Sequence, residues 1–172
     1  MMYKISRRKI SFSKIELQDL LKAWFAISLA FAILLSGRNI FATYFMFYLV
    51  LSAVTVGIAF LLHEMGHKIV AQRYGCWAEF RANTFMLFLA IIMSFFGFIF
   101  VAPGAVIIQG YVTKSRNGKI SLMGPLTNII LGFLFFIVMS FSFGIIQQIA
   151  YYGTLINAWI AICVSISFLR SS

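Results

Sequence analysis

Acidic residues are scarce in this chain of 172: four Asp and Glu stand against fourteen Lys and Arg, and none follows Glu79. Charged residues make up 10% of the sequence and hydrophobic ones 62%, with a mean hydropathy of +0.98. That composition excludes an ordinary soluble domain and points to an integral membrane protein. Two cysteines, Cys76 and Cys163, are too few and too far apart for a disulfide framework, and neither has a cysteine partner at metal-ligand spacing. Both read as packing residues. There is no internal repeat, low-complexity tract or linker, and the length suits a single domain.

The net charge of +10 does not indicate nucleic acid. The basic residues fall in short clusters beside apolar runs, as topology signals and contacts to anionic lipid do. Lys4, Arg7, Arg8, Lys9 and Lys14 precede the first run, which places the N-terminus in the cytoplasm of a multi-pass protein of the cell membrane. The apolar stretches are continuous and do not alternate, so they read as helices rather than barrel strands.

Residues 1–19 read as an amphipathic cytoplasmic lead, and residues 20–172 as one membrane-embedded domain. The class expected is all-α, with about four transmembrane helices and a re-entrant segment. Span one covers residues 20–36 and lacks a small-residue cleavage pattern, so it stays attached. Span two covers residues 40–74, roughly 50 Å at 1.5 Å per residue, and its last turns leave the membrane on the cytoplasmic side with Lys68, Arg73 and Arg81. Residues 83–108 are interrupted by Pro103 and Gly104 and read as re-entrant, because irregular backbone at membrane depth needs protein or a wet cavity around it. Residues 111–119 read as a polar loop, residues 122–146 as span three, and a last span begins near residue 154.

Both histidines of the chain lie at the end of span two, in Leu61-Leu62-His63-Glu64-Met65-Gly66-His67. On a helix, residues four apart share a face, so two imidazoles at this spacing can hold one metal ion while Glu64 reaches its bound water. Ionisable groups inside a membrane helix are disfavoured by roughly 2.5–3.5 kcal/mol each on insertion scales and mark functional sites. Three gather here within two turns. The plain alternative is a pair of histidines at an interfacial helix end.

This run, followed by Pro103-Gly104-Ala105-Val106 and by Gly124-Pro125-Leu126-Thr127-Asn128, resembles the site-2 protease family of intramembrane zinc metalloproteases over residues 56–159. The resemblance implies Zn2+ held by His63 and His67, Glu64 as the proton-handling catalytic residue, and hydrolysis of peptide bonds in the transmembrane helix of a protein substrate. Asn128 reads either as a substrate-binding residue, holding substrate backbone or a developing oxyanion, or as a polar packing contact beside a close-approach Gly124 and a first-turn Pro125. Gly57, Gly66 and Gly132 read as packing contacts.

The family completes the zinc shell with an aspartate in a later Asn-x-x-Pro…Asp-Gly motif, and this chain has none. After Asn157-Ala158-Trp159-Ile160-Ala161-Ile162 it continues Cys163-Val164-Ser165-Ile166-Ser167-Phe168-Leu169. Cys76 and Glu79 are lesser candidates for the third ligand, Glu79 reading first as an interfacial partner of Arg81. Two other functions compete with the protease: a non-catalytic protein that grips membrane helices, and a small transporter component. The expectation for the C-terminus is an incomplete or frameshifted domain. Codons GTT TCA ATC TCA TTC CTN would encode residues 164–169 and, read two bases on, Phe-Asn-Leu-Ile-Pro, the opening of the missing motif. Sequencing the gene is expected to show these codons; any other set at Val164 removes the frameshift.

Overall fold

The computed structural model describes residues 10–99 and 104–169, with side chains to residue 162. The chain runs α1 (Lys14–Leu35), α2 (Phe45–Ser52), a π-helical turn (Ala53–Gly57), α3 (Ile58–Arg73), β1 (Trp77–Ala82), α4 (Thr84–Phe95), β2 (Gly104–Gln109), α5 (Lys114–Phe141) and α6 (Gly144–Leu169). Three stretches are long and apolar enough to cross a membrane: α1, the continuous helix from Phe45 to Arg73, and α5. Four spans are therefore not reached on this criterion among the described residues.

The all-α expectation is corrected by β1 and β2, which form an antiparallel two-stranded sheet with Trp77 opposite Gln109 and Ala82 opposite Gly104. The excursion between Ala82 and Gly104 begins and ends at one place. Within it, α4 has 12 residues, about 18 Å of helix, too short for a hydrocarbon core of about 30 Å. Pro103 lies outside the described residues.

Helix starts follow their caps. Ser13 accepts from the Glu16 amide, Asn83 from the Met86 amide and Thr113 from the Arg116 amide, each satisfying an amide that the first turn leaves free. The lead and span one thus form a single helix from Lys14. The Thr113 cap likewise turns most of the expected polar loop into the opening of α5, so Pro125 stands well inside that helix and not in its first turn. Having no N–H, Pro125 cannot bond the Ser121 carbonyl. The final helix starts at Gly144, ten residues before the position expected.

α3 lies at the centre, packed against α5 on one side and against α1 and β1 on another, with α6 against α5. The main core joins Leu20, Ala23 and Ile27 of α1 to Val56, Phe60, Phe80 and Leu87. Close approach of α1 to the long helix depends on Gly57, where a Cβ would strike the Trp24 indole and come within 2.8 Å of Ser28 Oγ. Gly66 does the same against α5, where a Cβ would lie 2.8 Å from Thr127 Oγ1. Both act as the packing contacts expected of them.

The π turn displaces backbone groups from the α-helical ladder. The Trp24 indole N–H donates to the Ala53 carbonyl at 3.1 Å and so stabilises the turn. Trp24→Phe is expected to cost about 0.5–1.5 kcal/mol, the net worth of a hydrogen bond at a half-buried site. The measurement is the thermal midpoint of the purified protein in detergent, with helix content by circular dichroism unchanged below it.

Candidate metal centre

α3 brings His63 and His67 together one turn apart, their Nε2 atoms separated by 3.1 Å. The other ring nitrogens are engaged behind them. His63 Nδ1 lies 3.2 Å from Asn128 Oδ1, and His67 Nδ1 lies 2.7 Å from the Ile120 carbonyl oxygen. Both partners are oxygens that only accept, so each Nδ1 carries the hydrogen and donates it. Each neutral imidazole is then left with a bare lone pair on Nε2, and the two lone pairs face each other. A proton on either Nε2, giving an N–H···N bond, or a metal ion held by both relieves that repulsion.

The spacing suits zinc. Two nitrogens each 2.0–2.1 Å from one ion at a tetrahedral angle stand about 3.3 Å apart, close to the 3.1 Å between these atoms. A hydrogen bond from the second ring nitrogen to an oxygen acceptor is also how metal-binding histidines are oriented and made more basic. The donor set thus fits a divalent ion held by two imidazoles.

Gly124 of α5 makes the site sterically feasible. A Cβ there would collide with the Nε2 atoms of both histidines, so glycine leaves the space in which the two rings converge. Asn128 follows one turn later, fully buried, with its amide nitrogen unpartnered among the described residues. Its side chain therefore stands behind His63 and orients the ring. Glu64 and His67 open on a cavity of ≈ 230 Å³ whose walls include Gly104, Val106 and Ile108 of β2 and Ile120 and Ser121 of α5.

Among the described residues no group of three or more His, Cys, Asp or Glu could hold an ion. Cys76 packs with Ala71, Ala78 and Ile120. Glu79 bonds Arg81 at 2.6 Å and accepts from Ser13 Oγ at 3.2 Å, as an interfacial partner of Arg81 would. Neither joins the histidines. The sequence reading missed the Ile120 carbonyl, which no side-chain pattern could disclose. It also missed Gly124 as the floor of the site, although Gly-Pro at that point was the available signal.

A protein of Methanocaldococcus jannaschii, provisionally named as a zinc metalloprotease, is 40% identical over 154 residues, covering 87% of this chain and 76% of its own length. The chain belongs to this zinc metalloprotease family. No family model and no solved structure matches it. The paired imidazoles are the arrangement among the described residues that could hold a metal ion. Gly124→Ala is expected to raise the intrinsic helix propensity of α5 and yet weaken zinc binding, by roughly tenfold or more, the scale seen when ligand orientation is disturbed. Zinc titration against a chromogenic chelator checks it; unchanged affinity would show that the rings do not converge over this glycine.

Proposed function

We propose that this metalloprotease is a zinc-dependent intramembrane endopeptidase of the site-2 type, cutting peptide bonds in the transmembrane segments of other proteins. The observation that carries the reading is the pair of converging Nε2 atoms 3.1 Å apart, within a helix apolar enough to cross a membrane. Residues 45–62 form an apolar run of about 27 Å of helix, near the thickness of the hydrocarbon core. His63 therefore falls at its boundary, next to the cavity on which Glu64 and His67 open. Multi-pass insertion in the cell membrane with a cytoplasmic N-terminus belongs to the same proposal.

When bound, zinc supplies Lewis acidity and a water acidified to a pKa of about 7. Glu64, on the wall of the same cavity, accepts the proton of the attacking water and delivers it to the leaving amide nitrogen, giving a carboxylate and an amine. His63 and His67 are held in the required tautomer by Asn128 and Ile120. Asn128, fully buried behind His63 and not on the cavity wall, acts through that ring here, and the substrate contact expected of it from sequence would require it to move.

A transmembrane helix hides its carbonyls in its own hydrogen bonds, so the substrate must unwind before it can be cut. β2 offers such a segment a place. One edge of β2 pairs with β1, no third strand is present among the described residues, and β2 residues line the cavity that holds Glu64. An extended peptide added along an open edge satisfies its own backbone groups by strand pairing.

A second reading is favoured by one observation, the lack among the described residues of a third ligand: a relative that grips membrane helices without cutting them. Glu64→Gln separates the two. In purified protein reconstituted in liposomes, the variant is expected to keep its zinc by elemental analysis and to lose roughly 10²- to 10⁴-fold in cleavage of a model transmembrane substrate. Wild-type protein that carries zinc and binds that substrate uncut supports the second reading.

A further inference from the structure

Lys68 follows His67 directly and points elsewhere, since successive helix residues diverge by about 100°. His67 faces α5, whereas Lys68 faces α1. Its ammonium is fully buried, pairs with the equally buried Glu16 Oε2, and stands 3.8 Å from the centre of the Phe12 ring. The other oxygen of Glu16 accepts the Phe80 backbone N–H at 3.0 Å. One carboxylate thus joins α1 to the metal helix and to the sheet whose second strand walls the cavity. Gln72, one turn beyond Lys68, repeats the pattern: its amide donates to the Ala78 carbonyl at 3.1 Å and accepts from the Ser11 amide at 3.3 Å.

As a source of stability such a pair is a poor device, because desolvating two full charges consumes about what their attraction returns, and apolar side chains would serve as well. What it supplies is position. A buried ammonium can be satisfied only where its carboxylate stands, and this carboxylate is tied to β1.

We propose that Glu16 and Lys68 are positioning residues of the metal centre. They fix the rotation and depth of α3 and, through β1, the placement of the His63 and His67 Nε2 atoms relative to the open edge of β2. The proposal rests on the reading of the two histidines as metal ligands. α3 is then held from two sides, by Asn128 and Ile120 in front and by Glu16 behind. The first turn of α1 then helps to place the two imidazoles.

The test uses the full chain in detergent, loaded with Co2+, and reads the visible absorption band and the Co2+ affinity by chelator competition. Glu16→Asp keeps the charge but shortens the reach by one methylene, so the carboxylate no longer spans Lys68 and the Phe80 amide. The double variant Glu16→Gln with Lys68→Met removes both charges and strands neither. Each is expected to lose roughly 10- to 100-fold in Co2+ affinity, as changes behind a metal ligand do, and to shift the band, while the double variant keeps a thermal midpoint near the wild type. A wild-type band and affinity in Glu16→Asp overturn the proposal. If that variant does not fold, the double variant decides by the same readouts; if neither folds, the pair serves stability and the proposal fails. A wild-type protein that binds no Co2+ brings down the metal reading itself, a result distinct from the others.

Discussion

The fold turns on how one helix is gripped. α3 carries His63, Glu64 and His67 on one side and Lys68 and Gln72 on another, and the two sets are held by different partners. In front stand the Ile120 carbonyl and the Asn128 amide of α5; behind stand Glu16 of α1 and the backbone of β1. Of the four acidic residues in the chain, Glu16, Asp19 and Glu79 all lie on the seam between α1 and β1. Glu16 and Asp19 take the Phe80 and Ala82 amides along the strand edge that β2 leaves open. Glu79 receives Ser13 and Arg81. Only Glu64 is left for chemistry.

Small residues decide how close the metal helix and α5 come. Gly66 lies against Thr127 and the Met123 carbonyl, and Gly124 lies against the two imidazoles. Each helix therefore presents a glycine where the other presents bulk, which lets a hydrogen bond of 2.7 Å form between a side chain of α3 and the backbone of α5. Lipid tails are as apolar as the helices, so close packing and polar contacts, and not hydrophobic exclusion, hold such helices together. In this protein the same contacts that associate the helices also orient the two imidazoles.

The long helices were readable because uninterrupted apolar runs have few other uses. The histidine pair was readable because two His and four acids leave little room for coincidence. The sheet was not. β1 does alternate, with Ala78 and Phe80 buried between more exposed neighbours, but six residues after a charged helix end read equally well as an exit from the membrane. β2 is a short apolar run whose strand character depends on β1 beside it, so local sequence could not separate it from a broken helix. The opening of α5 was hidden for a related reason. Lys114, Ser115, Arg116, Asn117 and Gly118 have the composition of a loop, yet the Thr113 cap and the apolar helix that follows carry them into α5.

The tie between metal binding and hydrolysis depends on what fills the remaining coordination positions. Two imidazoles whose Nε2 atoms converge favour a cation at that point, and a proton or any metal ion able to sit between them meets the demand. Hydrolysis asks for more: a site that keeps an open position for water while the protein neutralises part of the ionic charge. Glu64 opens on the cavity beside His67, so a carboxylate is present to receive a proton, but its use as a ligand would remove it from that role. A third ligand and a proton acceptor are thus separate requirements, and the described residues meet the second more clearly than the first. The buried His63–Asn128 contact and the space kept by Gly124 are nevertheless arrangements that helix packing alone would not require, since an apolar residue at either position would fill α5 more simply. Their joint presence ties the packing of α3 and α5 to the orientation of the ligands.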